Sequence, residues 1–518
     1  MRYVFYKFLI AAAVIEVIFA FLWQPGLWSL IVIGPVAIFG LIDTFNRTHA
    51  IRRNFPILGN LRYLFEKIRP EIMQYFVETD TEGRPLNRIY RTLVYRRAKK
   101  VNDTTPFGTQ EIVYRAGYEW MGHSMYAINH KDLDHNQRVT VGGPDCRQPY
   151  DAAILNISAM SYGSLSKNAV LALNRGAKEG RFYHNTGEGA ISPFHLEHGG
   201  DLVWQVGTGY FGCRNPYGRF SDEAFKEKAS LESVKMIEIK LSQGAKPGHG
   251  GILPASKNTP EIAEIRGVKP YTMVFSPPVH SEFSDEKGLL EFVQRLRVLS
   301  GGKPIGFKLC IGSKAEFIKV CEAMIETGIK PDFITIDGGE GGTGAAPVEF
   351  SNSLGMPLRD GLTFVHNTLR GYDLRKDIKL IASGRIISSF HMVRVFAMGA
   401  DIANSARGMM LALGCIQALQ CNSNTCPTGV ATQNKMLMRG LNPKDKAVRV
   451  ANFQQETVKA FYEIIGAAGL RHPSEITKDH INRRISLSEV KTYEDLYPTT
   501  EIGSLLKNHK PEREVKLA

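Results

Sequence analysis

The sequence has few cysteines and lacks several short motifs that would assign a function at once. It holds seven cysteines in 518 residues, and the clustering of three of them speaks against a disulfide framework and favours a reducing compartment. No C-x2-C pair of a zinc site is present. No G-x-G-x-x-G opens a helix after the first predicted strand, which argues against a doubly wound dinucleotide fold. Low-complexity tracts and short repeats are also missing, so the composition is that of an ordinary globular protein.

The positive charge of the chain is concentrated near its start. The formal net charge is +13, and residues 44–100 alone carry thirteen Lys/Arg against five Asp/Glu. This basic block follows a hydrophobic N-terminus, and no nucleic-acid motif accompanies it. The pattern indicates an anionic membrane face. We therefore expect membrane lipid, and no nucleic acid, among the partners.

Two apolar runs at the N-terminus predict a transmembrane helical hairpin over residues 1–43. The first runs from Val4 to Trp23 and the second from Leu27 to Ile42, with Gln24-Pro25-Gly26 between them. A spanning helix needs roughly 17–25 residues, so the second run is short. Basic residues lie outside both ends of the hairpin, which places the large domain in the cytoplasm. A cleaved signal peptide and a membrane-surface helix are the alternatives, but no A-x-A-like cleavage site follows a short apolar region.

From residue 152 onward, short apolar runs alternate with helix-like segments, as in a parallel βα array. There are nine such runs, whereas a TIM barrel has eight strands. We therefore assign one run, Tyr271–Phe275, to an insertion within residues 242–304. The fold class is therefore α/β, a TIM (β/α)8 barrel with an insertion and flanking helical segments. The other predicted strands are Ala153–Ser158, Phe182–Thr186, Leu202–Val206, Met236–Leu241, Ile305–Cys310, Phe333–Asp337, Leu380–Ser383 and Asp401–Ala406.

Glycine-rich turns follow the last three predicted barrel strands. Barrel chemistry collects at the carboxyl ends of strands, and phosphate sites usually lie after the seventh and eighth. Glycine also exposes backbone N–H groups that can bind phosphate oxygens. These loops, Asp337 to Gly344, Ser383-Gly384-Arg385 and Ala406-Arg407-Gly408, predict a cofactor phosphate site.

Three cysteines, Cys415, Cys421 and Cys426, lie close together in the sequence. Cysteine thiolates are the usual ligands of iron–sulfur clusters. Three ligands predict either a three-iron cluster or a cubane with a fourth ligand from elsewhere. The alternative is that these side chains are small buried hydrophobic groups.

The segment GCIQALQCNSNTCPTGVATQ, which contains these cysteines, resembles the cluster-binding segment of the glutamate synthase family. The resemblance covers roughly residues 85 to 470 and implies an FMN-binding barrel with an iron–sulfur cluster, expected to be of the [3Fe-4S] type. Six further motifs agree in order: FGTQ at 107–110, NISAMSYGSLS at 156–166, NTGEG at 185–189, QGAKPGHGGILP at 243–254, SPPVH at 276–280 and DGGEGGTGAAP at 337–347.

The resemblance assigns residues to the cofactors. Lys308 would contact FMN, where a cation near the flavin pyrimidine stabilises the anion formed on reduction. Cys415, Cys421 and Cys426 would ligate the cluster. The FMN-binding residues would be Ser158, Ala159, Met160, Ser161, Asn185, Gln205, Lys308, Gly338, Gly339, Gly341, Gly342, Thr343, Gly384, Arg385, Ala406 and Arg407.

By the same resemblance, the substrate is 2-iminoglutarate, formed from 2-oxoglutarate and ammonia and reduced by hydride from FMN. The substrate-binding residues would be Lys240, Lys246, Arg266 and Glu188, and Lys246 and Glu188 would be catalytic. A dicarboxylate needs at least two cationic partners, which these residues supply. Taken singly, each of these charged residues could instead be a solvated surface residue.

Two positions depart from the family pattern, which usually reads KPGEGGQ in this loop. The expected glutamine is Ile252, and His249 adds an imidazole to the loop. An apolar side chain cannot replace a hydrogen bond typically worth about 0.5–1.5 kcal/mol. The substrate could therefore be a related oxo or imino acid.

Other parts of full-length glutamate synthases are not found. The first cysteine is Cys146, so no N-terminal nucleophilic cysteine of a glutaminase is present. The glycine-rich C-terminal domain and an NAD(P)H fingerprint are missing as well. We expect ferredoxin or a similar donor to supply electrons, and ammonia to arrive free or from a separate subunit.

The predicted organisation is a membrane anchor at 1–43, a basic lead-in packing on the barrel at 44–150, the barrel with its iron–sulfur segment at 151–433, and C-terminal helices with a charged tail at 434–518. The leading hypothesis is a membrane-anchored oxidoreductase that makes glutamate reductively. The alternatives are oxidation of an amino or hydroxy acid, with electrons passed to a membrane acceptor, and a non-catalytic electron-transfer subunit.

Overall fold

A computed structural model describes residues 1–506 of the chain. The chain forms two compact units, the first comprising Met1–Pro85 and the second beginning at Leu86. The predicted lead-in, 44–150, is therefore shared between both units. The charged tail predicted from Lys507 to Ala518 lies outside the described residues.

The first unit consists of α1 (Arg2–Leu22), a 3-10 helix (Gln24–Ser29), α2 (Leu30–Thr44), α3 (Ala50–Asn54) and α4 (Gly59–Ile72), followed by a π-helical turn (Met73–Val77). The stretches Arg2–Leu22 and Gln24–Thr44 are long and apolar enough to cross a membrane, judged by length and composition alone. Glu16, the acidic residue within the first stretch, has a hydrogen-bond partner nearby, because the Ser29 hydroxyl donates to its carboxylate. The predicted hairpin is therefore present as two helices, with a 3-10 turn in place of a three-residue one.

The second unit is built around a closed parallel barrel in which each strand pairs with its neighbours in chain order. This arrangement confirms the predicted fold class. The barrel strands are β1 (Leu155–Ile157), β2 (His184–Asn185), β3 (Leu202–Val206), β4 (Val234–Lys240), β5 (Ile305–Leu309), β6 (Phe333–Asp337), β7 (Lys379–Ser383) and β8 (Ile402–Ser405). Three further strand pairs or sheets flank it: Arg138–Val141 with Tyr150–Ala153, Ile252–Leu253 with Val274–Phe275, and Glu119–Met121 with Ile481–Arg484 and Val490–Thr492.

The barrel interior changes from apolar to polar along its axis. Because side chains alternate along a strand, every second residue faces inward. One apolar cluster includes Val203, Met236 and Phe333, and Val141 of the flanking hairpin belongs to the same cluster. Two and four residues further along β3, β4 and β6 come polar side chains such as Gln205 and Glu238. One end of the barrel is therefore packed and the other is polar.

The ninth predicted strand lies in an insertion, as expected. Val274–Phe275 pairs antiparallel with Ile252–Leu253 between β4 and β5, outside the barrel. The insertion also fits tightly, since a Cβ added at Gly250 would come within 2.0 Å of the Ser276 carbonyl oxygen. The two strands of the insertion are thus held together next to the end of β4.

Helices surround the barrel and begin at predictable residues. Ser166, Ser221, Asp285, Ser313 and Ser388 each accept a hydrogen bond from a backbone amide of the first turn that follows, which satisfies an otherwise unpaired donor. The helices of this unit are α5 (Arg88–Lys99), α6 (Lys167–Gly180), α7 (Pro193–Leu196), α8 (Asp222–Ala229), α9 (Pro260–Arg266), α10 (Glu286–Leu299), α11 (Lys314–Thr327), α12 (Val348–Ser353), α13 (Leu358–Gly371), α14 (Ser389–Ala397), α15 (Arg407–Ala412), α16 (Lys435–Met438), α17 (Pro443–Ala467) and α18 (Tyr493–Leu496).

Helix α17 holds the outer layer together. It packs on α6, where a Cβ added at Gly176 would come within 2.8 Å of the Ala447 carbonyl oxygen. It also packs on α5, because Arg97 donates hydrogen bonds to Ser389 at 3.1 Å and to Thr457 at 3.4 Å. The part of the lead-in that belongs to this unit therefore packs on the helices around the barrel.

One buried carboxylate, that of Asp332, connects the apolar end of the barrel to the segment before the barrel and to α10. Asp332 precedes β6 and accepts hydrogen bonds from the backbone amides of Gly143 at 2.7 Å and Ile305 at 2.8 Å. It also pairs with Arg297 of α10 at 3.1 Å, and both side chains are nearly fully buried.

We predict that Asp332→Ala lowers the free energy of unfolding by about 3–5 kcal/mol, because it leaves the Arg297 guanidinium buried without its partner. The matched control is Glu326→Ala, which removes an ion pair of 2.6 Å to Lys287 whose two side chains are more than half exposed; it should change stability by about 0–1 kcal/mol. Guanidinium-induced unfolding measures both variants. Equal losses in the two would contradict the structural role of Asp332.

Candidate functional site

The polar end of the barrel carries most of the predicted cofactor residues. Ser158 follows β1, and its hydroxyl oxygen lies 3.0 Å from that of Ser383 at the end of β7. The turn after β2 presses against the turn after β1: Gly187 has a φ of +65°, and a Cβ there would come within 2.6 Å of the Ser161 amide nitrogen. Ala159 and Met160 lie in the same turn as Ser161. The structure therefore brings Ser158–Ser161 together with Asn185.

Glu238 is a buried carboxylate at the polar end of the barrel that sequence reasoning missed. It lies in β4 with about 1% of its surface exposed. Its carboxylate accepts hydrogen bonds from Asn185 at 2.9 Å, from Gln205 at 2.6 Å and from Thr335 at 2.6 Å. A buried carboxylate is costly unless it is hydrogen-bonded, and here three donors from three other strands serve it. The signal in the sequence was a single acidic residue within the apolar strand MIEIK.

Lys308 of β5 lies beside this network. Its ammonium nitrogen is 3.2 Å from the Asp337 carboxylate at the end of β6. Burial lowers the pKa of Lys308, but Asp337 and Glu238 outweigh burial and hold the pKa above its ordinary value. The same Asp337 carboxylate accepts a hydrogen bond from the Gly244 amide at 3.2 Å. Lys308 is therefore a fixed positive charge near the centre of the barrel mouth.

The glycine loop after β6 uses several of its amides within the protein. The amides of Gly338, Gly339 and Gly341 donate to the carbonyl oxygens of Ser383, Met356 and Gly338, at 3.0, 2.8 and 2.8 Å. This pairing leaves the amides of Gly342 and Thr343 as the phosphate-binding candidates of the loop. Gly338, Gly339 and Gly341 therefore use their amides within the protein, and their predicted part in FMN binding stays a prediction.

Two arginines stand opposite this loop, at the ends of β7 and β8. Arg385 follows Gly384 and has a φ of +52°, a strained conformation of the kind that collects at ligand sites. Burial and the nearby Arg385 together lower the pKa of Arg407, which follows Ala406, to about 10, although Asp337 and Glu340 raise it. A Cβ at Gly342 would lie 3.6 Å from Arg407. Two neighbouring guanidiniums beside an open glycine fit the dianionic phosphate of a cofactor.

A pocket beside the barrel mouth holds three of the four predicted substrate residues. The ammonium of Lys240 lies 2.8 Å from the Glu188 carboxylate, and Lys246 also lines the pocket. The insertion supplies much of the wall. The lining residues are Glu188, Thr208, Lys240, Leu241, Ser242, Gln243, Lys246, Gly248, Gly250, Gly251, Pro277 and Pro278.

The charges of this pocket depend on one another. Burial raises the pKa of Glu188, but Lys240, Arg266 and Lys246 outweigh it and hold the pKa below its ordinary value. Burial lowers the pKa of Lys246 to about 8, although Glu188 raises it. Glycine is needed around the carboxylate, since a Cβ at Gly251 would come within 2.4 Å of it. The pocket thus presents an ionised carboxylate and two lysines to a ligand.

Three other residues singled out from the sequence lie outside the lining of this pocket. Arg266 is buried, donates to the Tyr162 carbonyl oxygen at 2.8 Å and stacks 5.1 Å from the centre of the Phe211 ring. Ile252 pairs through its backbone with Phe275 in the insertion. His249 packs edge-on against a ring of α12. Arg266 therefore acts on the pocket through its charge beside Glu188 rather than by lining it.

The three clustered cysteines form no disulfide; Cys426 is buried and the other two are partly buried. Cys415 accepts a 3.4 Å hydrogen bond from the Gln417 amide. Burial raises the pKa of Cys426, but hydrogen bonds from Thr428 and from nearby backbone amides outweigh burial and lower it. Thiols that influence one another's pKa and accept amide hydrogen bonds fit an iron–sulfur cluster. Among residues 1–506, however, no three His, Cys, Asp or Glu side chains are close enough to form a single-ion site.

Lys257, a residue missed from the sequence, fixes the cysteine segment. It is buried within the insertion and donates to the carbonyl oxygens of Ser164, Cys421 and Ala431 at 3.0, 2.7 and 2.8 Å. The cysteine segment also touches the glycine loop, since a Cβ at Gly344 would lie 3.0 Å from that of Cys421. The candidate cluster segment and the candidate phosphate loop are therefore in direct contact.

Known proteins of similar sequence or fold include two relatives and one solved structure. The chain is 35% identical over 489 residues to the glutamate synthase large subunit-like protein YerD of Bacillus subtilis, covering 86% of this chain and 93% of that protein. It is 35% identical over 315 residues to an archaeal glutamate synthase [NADPH] of Methanocaldococcus jannaschii, covering 61% of this chain and 58% of that protein. A solved mandelate oxidase variant with benzaldehyde shares 14% identity, with a TM-score of 0.44 over 76% of this chain and 98% of that one.

The conserved region in glutamate synthase matches residues 130–471. This range contains the barrel, the pocket and the cysteine segment described above, and the chain spans nearly the whole length of the first relative but little more than half of the second. The chain belongs to the glutamate synthase family.

Proposed function

We propose that the protein is an FMN-dependent oxidoreductase that aminates 2-oxoglutarate reductively, by way of 2-iminoglutarate, to give glutamate. Electrons would reach the flavin from ferredoxin or a similar donor through an iron–sulfur cluster held by Cys415, Cys421 and Cys426. Ammonia would arrive free or from a separate subunit. The observation that carries the proposal is the charge cluster of Lys240, Lys246 and Glu188 at the mouth of the barrel.

The pocket supports an oxo dicarboxylate as substrate. Two ammonium groups can pair with two carboxylates, and the pocket is partly enclosed by Pro277 and Pro278 of the insertion. Ile252 lies in the backbone pairing of the insertion, so its apolar side chain removes no polar group from the pocket lining. This placement favours the family substrate over a different oxo acid.

The residues of the chain have distinct tasks in this proposal. Lys240 and Lys246 bind and orient the carboxylates, and Glu188, kept ionised by its neighbours, can accept a hydrogen bond from the protonated imino nitrogen and so orient it. Reduced FMN supplies the hydride. Arg385 and Arg407 would bind its phosphate, and Lys308 would stabilise negative charge on the reduced ring.

We further propose that the stretches Arg2–Leu22 and Gln24–Thr44 anchor the protein in the cell membrane with its barrel in the cytoplasm. Their length and composition support this placement, as do Arg47, Arg52 and Arg53, which follow the second stretch.

Anaerobic flavin reoxidation tests the reaction. Addition of 2-oxoglutarate with ammonium to the photoreduced, detergent-solubilised protein should return the oxidised flavin spectrum and form glutamate. Lys240→Met should slow reoxidation by about 10²-fold or more, because it removes a cation that would pair with a substrate carboxylate, a loss of roughly 2–5 kcal/mol. Lys235→Met, on the outer side of the same strand, is the matched control and should react normally. Intact cofactors without reoxidation would instead favour oxidation of an amino or hydroxy acid.

The pKa of Lys246, about 8, gives a pH dependence. The protonated ammonium pairs with a carboxylate and the neutral amine does not, so affinity for 2-oxoglutarate should be constant well below pH 8 and fall roughly tenfold per pH unit above it. Lys246→Arg should move the fall to higher pH, because a guanidinium stays protonated. Spectral titrations between about pH 6.5 and about pH 9.5 measure the dissociation constant. A flat profile in the parent protein would contradict this role.

The cluster assignment is tested by iron and sulfide content. Cys421→Ser should remove most of the iron and sulfide from the purified protein, because a serine hydroxyl is a poor substitute for a thiolate ligand. Cys146→Ser, a half-buried cysteine away from the segment, should keep both. Iron retained in the Cys421 variant would show that this thiol is not a ligand.

A further inference from the structure

Helix α4, Gly59–Ile72, exposes an apolar stripe. Five large side chains recur at helical spacing along one face and are between about one third and three fifths exposed: Leu61 at 46%, Leu64 at 50%, Phe65 at 57%, Ile68 at 37% and Ile72 at 38%. A surface helix of a globular protein normally turns such a stripe toward the core. An exposed apolar stripe of this length marks an interaction site.

The opposite face of α4 is the covered one. Tyr63 points away from the stripe, and its ring lies 5.0 Å from that of His49 and 4.6 Å from the Arg52 guanidinium. Gly59 lies against the α3 backbone, where a Cβ would come within 2.9 Å of Arg52. Helix α3 therefore packs on the polar side of α4 and leaves its apolar side outside.

Basic residues flank the stripe. Residues 50–72 carry five Lys/Arg against two Glu, and Arg62, Lys67 and Arg69 stand at the two borders of the apolar face. Arg62 also pairs with Glu66 at 2.9 Å, one helical turn away. Long cationic side chains at the borders of an apolar face can reach upward to phosphate while their stems stay in the apolar layer.

The start of α4 is fixed to the end of the second apolar stretch. Asp43, buried at the end of α2, accepts hydrogen bonds from the Ile57 amide at 2.9 Å and from the side-chain amide of Asn60. A helix whose first turn is held at the end of a membrane-spanning segment begins at the level of the lipid headgroups. The stripe is therefore continuous with the proposed membrane anchor, on which this inference rests.

We propose that α4 is an interfacial helix that lies in the headgroup layer of an anionic bilayer. Leu61, Phe65 and Ile68 enter the boundary of the acyl chains, and Arg62, Lys67 and Arg69 contact lipid phosphates. Such helices combine buried apolar area with attraction to anionic lipid. The partner is a lipid surface, and not a second copy of the chain, because the cations border the apolar stripe and a second copy would bring like charges together.

Tryptophan fluorescence in nanodiscs tests this placement on the full chain. Phe65→Trp places a probe on the stripe, and Glu66→Trp places a matched probe on the neighbouring polar face. After subtraction of the parent signal, lipids brominated on their acyl chains should quench the probe at position 65 about twofold or more, and the probe at position 66 much less. Quenching at position 65 should be stronger in discs that contain phosphatidylglycerol than in phosphatidylcholine discs, and Lys67→Glu with Arg69→Glu should reduce the difference.

Two results would overturn the inference while leaving the anchor intact. One is a protein that stays in the discs but shows equal quenching at positions 65 and 66. The other is a probe at position 65 that is insensitive to brominated lipid while the protein assembles into dimers, which would assign the stripe to a second copy. If the protein fails to enter discs at all, the proposed anchor is wrong, and that outcome is separate from both.

Discussion

The architecture of the second unit depends on the buried carboxylate of Glu238. It sits where the barrel interior changes from apolar to polar and accepts hydrogen bonds from Asn185, Gln205 and Thr335. Together with the charge of Lys308, which it helps to keep protonated, it links five neighbouring strands. A low-dielectric interior strengthens such a network when it is fully satisfied and penalises it when it is not. The network therefore fixes the depth at which the packed core ends and the mouth begins.

The residues proposed to bind substrate and cofactors lie between Glu238 and the open mouth of the barrel. Lys240 follows Glu238 by two residues on β4 and faces the same interior, so the strand that carries the network also carries the pocket lysine. Asp337 ends β6 two residues after Thr335 and pairs with Lys308. The cysteine segment is then joined to this region by Lys257 and by the contact at Gly344. The network, the pocket and the cysteines thus form one connected region.

Much of this could be predicted from residue patterns. The runs Leu202–Val206 and Phe333–Asp337 coincide with strands of the barrel, because buried parallel strands are apolar throughout and end in turn residues. The second strand was predicted too long, since only His184–Asn185 pairs as a strand. The family motifs then identified Glu188, Lys240 and Lys246, which do meet in space.

The remaining features require contacts that no local pattern reveals. Thr335 is 97 residues from Glu238 in the chain, so the network is visible only once the strands are adjacent. The amide partners of Gly338 and Gly339 are supplied by the end of β7 and by the loop before α13, and a glycine run alone does not say which of its amides are used. In the sequence Lys257 looks like an ordinary surface lysine. Its contacts with the cysteine segment exist only in the folded protein.

The pocket combines residues of the barrel with residues of the insertion. Lys240 ends β4 and Glu188 follows β2, whereas the insertion supplies the other part of the lining: Lys246, Gly248, Gly250, Gly251, Pro277 and Pro278. Changes in the length or bulk of the insertion would therefore alter how long a ligand fits and would also move Lys246, while the ion pair of Lys240 with Glu188 stays in place. Ligand length and the second positive charge are thus properties of the insertion, and the buried ion pair is a property of the barrel.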